Sequence, residues 1–188
     1  MPRKAAAPDR VYQLKITLKD SKPPIWRRVE VADDITLARL HRIIQVAMGW
    51  TDSHLHLFSL GRTDYGVPHP DDGGETRDER RYKLNQLLTA PKQKLSYEYD
   101  FGDSWTHEVL LEQVREPEPG ATYPRCITGK RACPPEDCGG VWGYAEFVEA
   151  IADPEHPEHD ELLEWVGGEF DPAAFDVAAV NAELRGLR

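Results

Sequence analysis

Sulfur is scarce in this 188-residue chain, which holds two methionines and three cysteines. All three cysteines fall in one stretch, YPRCITGKRACPPEDCGG, at 123–140. An odd number of thiols excludes a framework of paired disulfides and fits a reducing compartment. Long apolar runs are missing too: none approaches the roughly 20 residues that a membrane-spanning helix needs. The start, MPRKAAAPDR, is short and basic with no apolar segment behind it, unlike a secretory leader. Residues 1–10 therefore read as a disordered tail, residues 11–188 as a single domain, and the cytoplasm as its compartment, with no membrane partner. Positive charge is in deficit as well, with 23 Lys and Arg against 33 Asp and Glu, a formal net charge of −10. The average field of such a chain repels a phosphate backbone and disfavours generic nucleic-acid binding. The local basic stretches are RDERRYK, from Arg77 to Lys83, and Lys130–Arg131. No P-loop, dinucleotide fingerprint or recognised nucleophile–base pair is present.

Strand periodicity opens the chain. In VYQLKITL (11–18), Tyr12, Leu14, Ile16 and Leu18 share one face, and IWRRVEV (25–31) follows the turn KDSKPP, so the two predict a hairpin. A helix is expected from Leu37 to Met48, where Leu37, Leu40, Ile43, Ile44 and Ala47 recur at helical spacing, with Thr36 among the caps and Gly49 as the stop. HLHLFSL (54–60) reads as a central strand, residues 61–81 as a long mobile loop, and KLNQLL (83–88) as one helical turn. The strongest hairpin signal is KLSYEYDFGDSWTHEVLLEQV (94–114). If Asp100 faces Ser104 across Phe101-Gly102-Asp103, then Leu95, Tyr97, Tyr99, Trp105, His107 and Val109 all share one face, an arrangement that a one-residue slip destroys. A long loop from about Arg115 to Trp142 comes next, and ten of the 27 residues from Pro117 to Gly143 are Pro or Gly. Helices are expected at 143–151, 157–166 and 171–184, the last capped by Asp171. The fold class is α+β: a mostly antiparallel sheet with an N-terminal hairpin–helix unit and C-terminal helices packed on it.

Several residue sets are candidates for chemistry. Cys126, Cys133 and Cys138, spaced C-x6-C-x4-C, supply three of the roughly four ligands that zinc takes. His107 is the first choice for the fourth, because its hairpin leads into the loop, and His54 or His56 is the second. His54 and His56, two apart on a strand, project from one face at the spacing of a shared metal. The alternative is that the thiols are small buried hydrophobes, or that Cys138 is a reactive thiol activated by the amides of Gly139 and Gly140. Asp100, Asp103, Glu136, Asp137, Glu169 and Asp171 form an acidic set with the residue types of a divalent-metal site, though turns and helix caps also use them. Trp26, Trp50, Tyr97, Tyr99, Trp105 and Trp142 read first as core and second as a stacking platform.

Six blocks, PPIWRRVEV, TLARLHRIIQVAMGW, HLHLF, YEYDFGDSWTHEVLLE, ACPPEDCGGVWGY and EWVGGEFDPAAFDVAAVN, resemble the plasmid pRiA4b ORF-3-like family. Relatives carry the label of insertion-element passenger proteins of a TnpR (resolvase) type. The resemblance spans roughly residues 11–187 and implies a single-domain α+β fold found in mobile elements and in bacterial or archaeal genomes. It transfers no catalytic residue. The resolvase label finds no support in the residues, since Ser21, Ser53, Ser59, Ser96 and Ser104 stand in turns or strands without an arginine cluster.

The reading favoured by the residues is a non-catalytic, mobile-element-associated binding or adaptor domain for a protein or nucleic-acid partner, its loop pinned by its cysteines, with a structural zinc as one way of doing so. One alternative is a metal-dependent hydrolase or nuclease using the histidines with Asp100, Asp103 or Glu136. Another is a DNA-binding accessory factor.

Overall fold

Alternation in the first segment builds β1 (Val11–Leu18), which pairs antiparallel with β2 (Trp26–Ala32) across the expected turn. A computed structural model describes residues 8–69 and 73–187 of the chain. The tail expected over 1–10 lies outside the described residues as far as residue 7. After β2 comes α1 (Leu37–Met48), with the Oγ1 of Thr36 accepting from the Arg39 amide at 3.2 Å and Gly49 closing the helix at φ +108°. That left-handed angle is why glycine stands there. Leu37, Leu40, Ile43, Ile44 and Ala47 are all buried. Each buried Leu or Ile contributes roughly 1.5–3 kcal/mol.

The remaining elements are β3 (His56–Leu60), β4 (Thr63–Gly66), β5 (Arg77–Asp78), a 3-10 turn (Glu79–Arg81), α2 (Leu84–Leu87), β6 (Lys94–Tyr99), β7 (Trp105–Arg115), β8 (Arg125–Lys130), α3 (Gly140–Ala152), α4 (His159–Trp165) and α5 (Val177–Leu184). Among the described residues the strands form one eight-stranded sheet in the order β5-β4-β3-β6-β7-β1-β2-β8. Every pairing is antiparallel except β4 with β5. This is the expected α+β architecture. No helix among the described residues is long and apolar enough to cross a membrane.

The β6–β7 hairpin takes the register read from the sequence, with Leu95 opposite Val109, Tyr97 opposite His107 and Tyr99 opposite Trp105. All six are buried. The indole of Trp50 and the α1 side chains His41 and Gln45 cover this face. The opposite face is polar: Lys94 meets Glu108 at 2.6 Å, and Arg28 forks onto Glu112 at 2.6 and 2.9 Å.

Three expectations need correction. Residues 61–81 are not one loop, because β4 turns straight back onto β3. The segment from 115 to 142 contains β8, which extends the sheet beyond β2. Buried Glu30 secures this edge by accepting from Arg115 at 2.9 Å and from Arg125 at 2.6 Å. The final helix begins at Val177, not 171. Asp176 caps it through the Ala178 and Ala179 amides, while Asp171 accepts from the Ala173 amide and closes a separate turn.

One buried cation fastens these layers. Arg27, 1% exposed, donates to the carbonyls of Ala47 at 2.7 Å and of Trp26 and Lys130 at 3.0 Å, and its guanidinium lies 4.0 Å from the Phe175 ring. It thus joins the C-terminal end of α1, whose dipole favours positive charge, to the end of β8 and to the segment before α5.

His107 is fully buried, and neither ring nitrogen has a hydrogen-bond partner. Burial pushes its pKa down from 6.5 to about 4, against a smaller opposing pull from the backbone at Trp105 and Tyr97. The unfolded chain therefore takes up a proton near pH 6.5 that the folded chain refuses until about pH 4. The His107 contribution to stability is complete above pH 6.5 and is lost, by about 3 kcal/mol, as pH drops through that window. Denaturant titrations between pH 7 and pH 4 should show this slope, and His107→Phe should flatten it. An unchanged slope in the variant would mean that His107 does not carry the proton linkage.

Candidate functional site

The β6–β7 turn places Asp100 at one end of the sheet. The Ser104 amide donates to the Asp100 carbonyl at 2.6 Å, and Oδ1 of Asp100 accepts from the amides of Gly102 at 2.9 Å and Asp103 at 3.4 Å. This leaves Oδ2 directed at Nε2 of His54, 3.7 Å away. From the other side Oδ1 of Asp137 approaches the same nitrogen at 3.2 Å. The three donor atoms lie within 4.8 Å of one another.

Two contacts hold this meeting point. The first is a clamp on the Tyr99 hydroxyl, which accepts from the amides of Ser53 (2.9 Å) and His54 (3.3 Å) and donates to Oε1 of Glu136 at 2.5 Å. Glu136 also accepts from the Thr51 amide and hydroxyl. Burial opposes ionisation of Glu136, but these hydrogen bonds outweigh it and keep its pKa below the ordinary carboxylate value. Burial, then the Glu136 carboxylate, push Tyr99 upward, so the phenol stays protonated and keeps donating. The second contact joins two turns. Oδ2 of Asp103 accepts from the Gly139 amide at 3.1 Å. A Cβ on Gly140 would stand 2.5 Å from the Asp103 carbonyl oxygen, so only glycine allows this approach.

A second polar cluster lies under α1. The Gln45 amide donates to the Tyr97 hydroxyl (2.9 Å), Tyr97 donates to Nδ1 of His41 (2.8 Å), and Nε2–H of His41 donates to Asp52 (2.7 Å). The chain of donors makes His41 the neutral Nε2–H tautomer. Burial and the neighbouring His56 lower its pKa. His56 stacks on His41 with ring centroids 3.4 Å apart and planes 4° from parallel, and its Nε2 is 2.7 Å from Glu79.

The sites anticipated from sequence are distributed differently. His54 precedes β3 and turns to Asp100 and Asp137, whereas His56 opens β3 and faces His41 and Glu79, so the pair does not share one set of partners. Among the described residues, no three of Cys126, Cys133, Cys138 and His107 bring donor atoms within 4.8 Å of one another. Cys126 is held in β8, opposite Val29, by its amide to Asn181 at 2.8 Å, while His107 is sealed beneath Trp50 and Tyr97. Burial raises all three thiols: Cys126 to about 11, Cys138 to about 12 with Asp103 adding to it, and Cys133 well above its ordinary value. A raised thiol pKa runs against the reading of Cys138 as an activated thiol. Asp100, Asp103, Glu136 and Asp137 do gather, and Asp171 stands apart in its own turn. Four of the six aromatics, Trp50, Tyr97, Tyr99 and Trp105, are core, while Trp142 is 84% exposed. The basic stretch is partly paired: Arg80 forks onto Asp78, Arg81 stands beside the same carboxylate at 3.8 Å, Lys83 reaches Asp34, and Arg77 lies over the Tyr82 ring. Sequence reading missed His41. Its signal is that His41 and Gln45, four apart, fall in the otherwise apolar buried stripe of an amphipathic helix.

Next to Asp137 a cavity of about 520 Å³ opens between α3 and α4. Phe147, Leu162 and Trp165 supply its apolar surface, and Asp137, Glu146, Glu149 and Glu158 its acids, with no Lys or Arg in the lining. Among the described residues no cation pairs with the carboxylates of the three glutamates.

Residues 10–179 match the family model described as plasmid pRiA4b ORF-3-like protein. The chain is 42% identical over 179 residues to uncharacterized protein y4hQ of Sinorhizobium fredii (strain NBRC 101917 / NGR234), covering 94% of this chain and 92% of that one. It is also similar to a solved structure, the protein of unknown function MM3350 from Methanosarcina mazei Go1. That likeness has 37% identity and a TM-score of 0.84, covering 91% of this chain and 97% of the other.

Removal of the Tyr99 hydroxyl tests the clamp. Tyr99→Phe leaves two amides and a carboxylate without their partner and should cost about 1–3 kcal/mol. Amide hydrogen exchange at Ser53 and His54 should accelerate while exchange in β1 stays slow. Unchanged exchange at both amides would show that the loop is held by something else.

Proposed function

The chain belongs to the plasmid pRiA4b ORF-3-like protein family, and within it we propose a non-catalytic binding domain that receives a basic segment of a protein partner in the α3–α4 groove. The observation that carries this reading is unbalanced charge over an apolar floor. Four carboxylates surround Phe147, Leu162 and the half-exposed Trp165, and the lining offers no cation except a histidine, His156. An arginine suits such a surface, because its planar guanidinium stacks on an indole and forks onto carboxylates. A phosphate backbone is the wrong sign for it, and three of the four cations in the Arg77–Lys83 stretch already meet acids. That combination favours a protein partner over nucleic acid.

A mobile-element association rests on the family resemblance alone. The hydrolase alternative is weaker at Glu136, one of the three carboxylates it would use. Glu136 already accepts three hydrogen bonds, from Thr51 and Tyr99, and its pKa is lowered rather than raised, whereas a general base works best near the operating pH.

The test is anisotropy of a labelled Arg-rich peptide, with an acidic peptide and a DNA duplex of matched length as controls, in buffer containing a chelator. The basic peptide alone should bind. Glu146→Gln combined with Glu149→Gln should weaken it about tenfold, at roughly 0.5–1 kcal/mol for each rim charge. Equal binding of the acidic peptide or DNA, or an unaffected double variant, would contradict the reading.

A further inference from the structure

We propose that His54, Asp100 and Asp137 form a three-donor site for a divalent transition metal, with zinc as the best match. The inference begins from an unpaired atom. Nε2 of His54 is sealed from solvent and makes no hydrogen bond, although carboxylate oxygens stand 3.2 and 3.7 Å away. Neither carboxylate is aligned to accept from it. Those separations match a ligand shell: donors at about 2.0–2.2 Å from a tetrahedral zinc lie roughly 3.4 Å from one another.

The rest of the local structure orients these atoms. Turn amides occupy Oδ1 of Asp100, so Oδ2 is the oxygen left for the site. Asp100 and Asp137 both stand in left-handed backbone, at φ +58° and +61°. That conformation is costly for a residue with a side chain, though least so for Asp and Asn. The Tyr99–Glu136 bond ties the His54 loop to the residue beside Asp137, and the Asp103–Gly139 bond ties the Asp100 turn to the same segment. The segments that carry the three donors are therefore tied together, and the Asp100 carboxylate is itself oriented by its turn amides. Each donor also comes from a different block of the sequence: HLHLF, YEYDFGDSWTHEVLLE and ACPPEDCGGVWGY. One imidazole and two carboxylates suit zinc or manganese, whereas magnesium prefers oxygen alone. Asp137 is exposed, so the site is reachable from solvent, and three protein donors leave a fourth position for water or a partner's group.

The site differs from the zinc anticipated on Cys126, Cys133, Cys138 and His107, and one experiment separates them. Tag-free, chelator-stripped protein is titrated with zinc chloride by calorimetry, and its metal content is measured after desalting. One equivalent should bind. His54→Ala and Asp137→Asn should each weaken binding by more than about tenfold, while the triple Cys126→Ser, Cys133→Ser, Cys138→Ser variant should retain it. Asp137 is surface-exposed, so its variant stays interpretable even if His54→Ala fails to fold. No zinc uptake, or uptake unaffected by Asp137→Asn, or uptake lost only in the cysteine variant, would overturn the proposal. None of these readouts depends on whether a peptide binds the groove.

Discussion

The register of the β6–β7 hairpin is the constraint on which the rest of the molecule depends. Tyr97 opposite His107 and Tyr99 opposite Trp105 put four large rings on one face, where α1 and Trp50 bury them. The same register sends Ser96, Glu98, Thr106 and Glu108 to the polar face. A slip of one residue would exchange these sets, removing the core and exposing the aromatics. It would also displace Asp100, whose position at the turn decides where one carboxylate of the candidate site stands. Core and site are thus one geometric decision, with the Tyr99 ring in the core and its hydroxyl holding the His54 loop.

Around that hairpin, a few short polar bonds also join distant segments that share the apolar core. Asp103 receives the Gly139 amide, Tyr99 reaches Glu136, and Trp50 donates through its indole nitrogen to the Pro134 carbonyl at 3.1 Å. These bonds help a segment rich in proline and glycine to keep one shape. Asp137 then becomes common to two features, the cluster around His54 and the rim of the α3–α4 groove.

The parts of the fold legible in the sequence were those set by local period. Alternation in 11–18 and 94–114, and the 3.6-residue recurrence from Leu37, are encoded within each segment, and they emerged with their caps and registers. The parts that were not legible depend on partners far along the chain. β8 carries no alternation strong enough to announce itself, and it forms because β2 offers an edge and Glu30 offers two oxygens to Arg115 and Arg125. His54 and His56 were paired by strand parity, but the strand starts at His56, and a residue outside a strand is freed from that parity. The three cysteines stand out because they are rare; Cys126 is buried, and Cys133 and Cys138 are half-buried. The carboxylates that do converge were visible as residue types in turns, and only the tertiary docking of the two turns selects Asp100 and Asp137 from the wider acidic set.

The most direct measurement is the anomalous-difference map of a zinc-soaked crystal recorded at the zinc absorption edge. The account predicts one peak within about 2.2 Å of Nε2 of His54, Oδ2 of Asp100 and Oδ1 of Asp137. A peak among the cysteine sulfurs instead, or none above background, would contradict it.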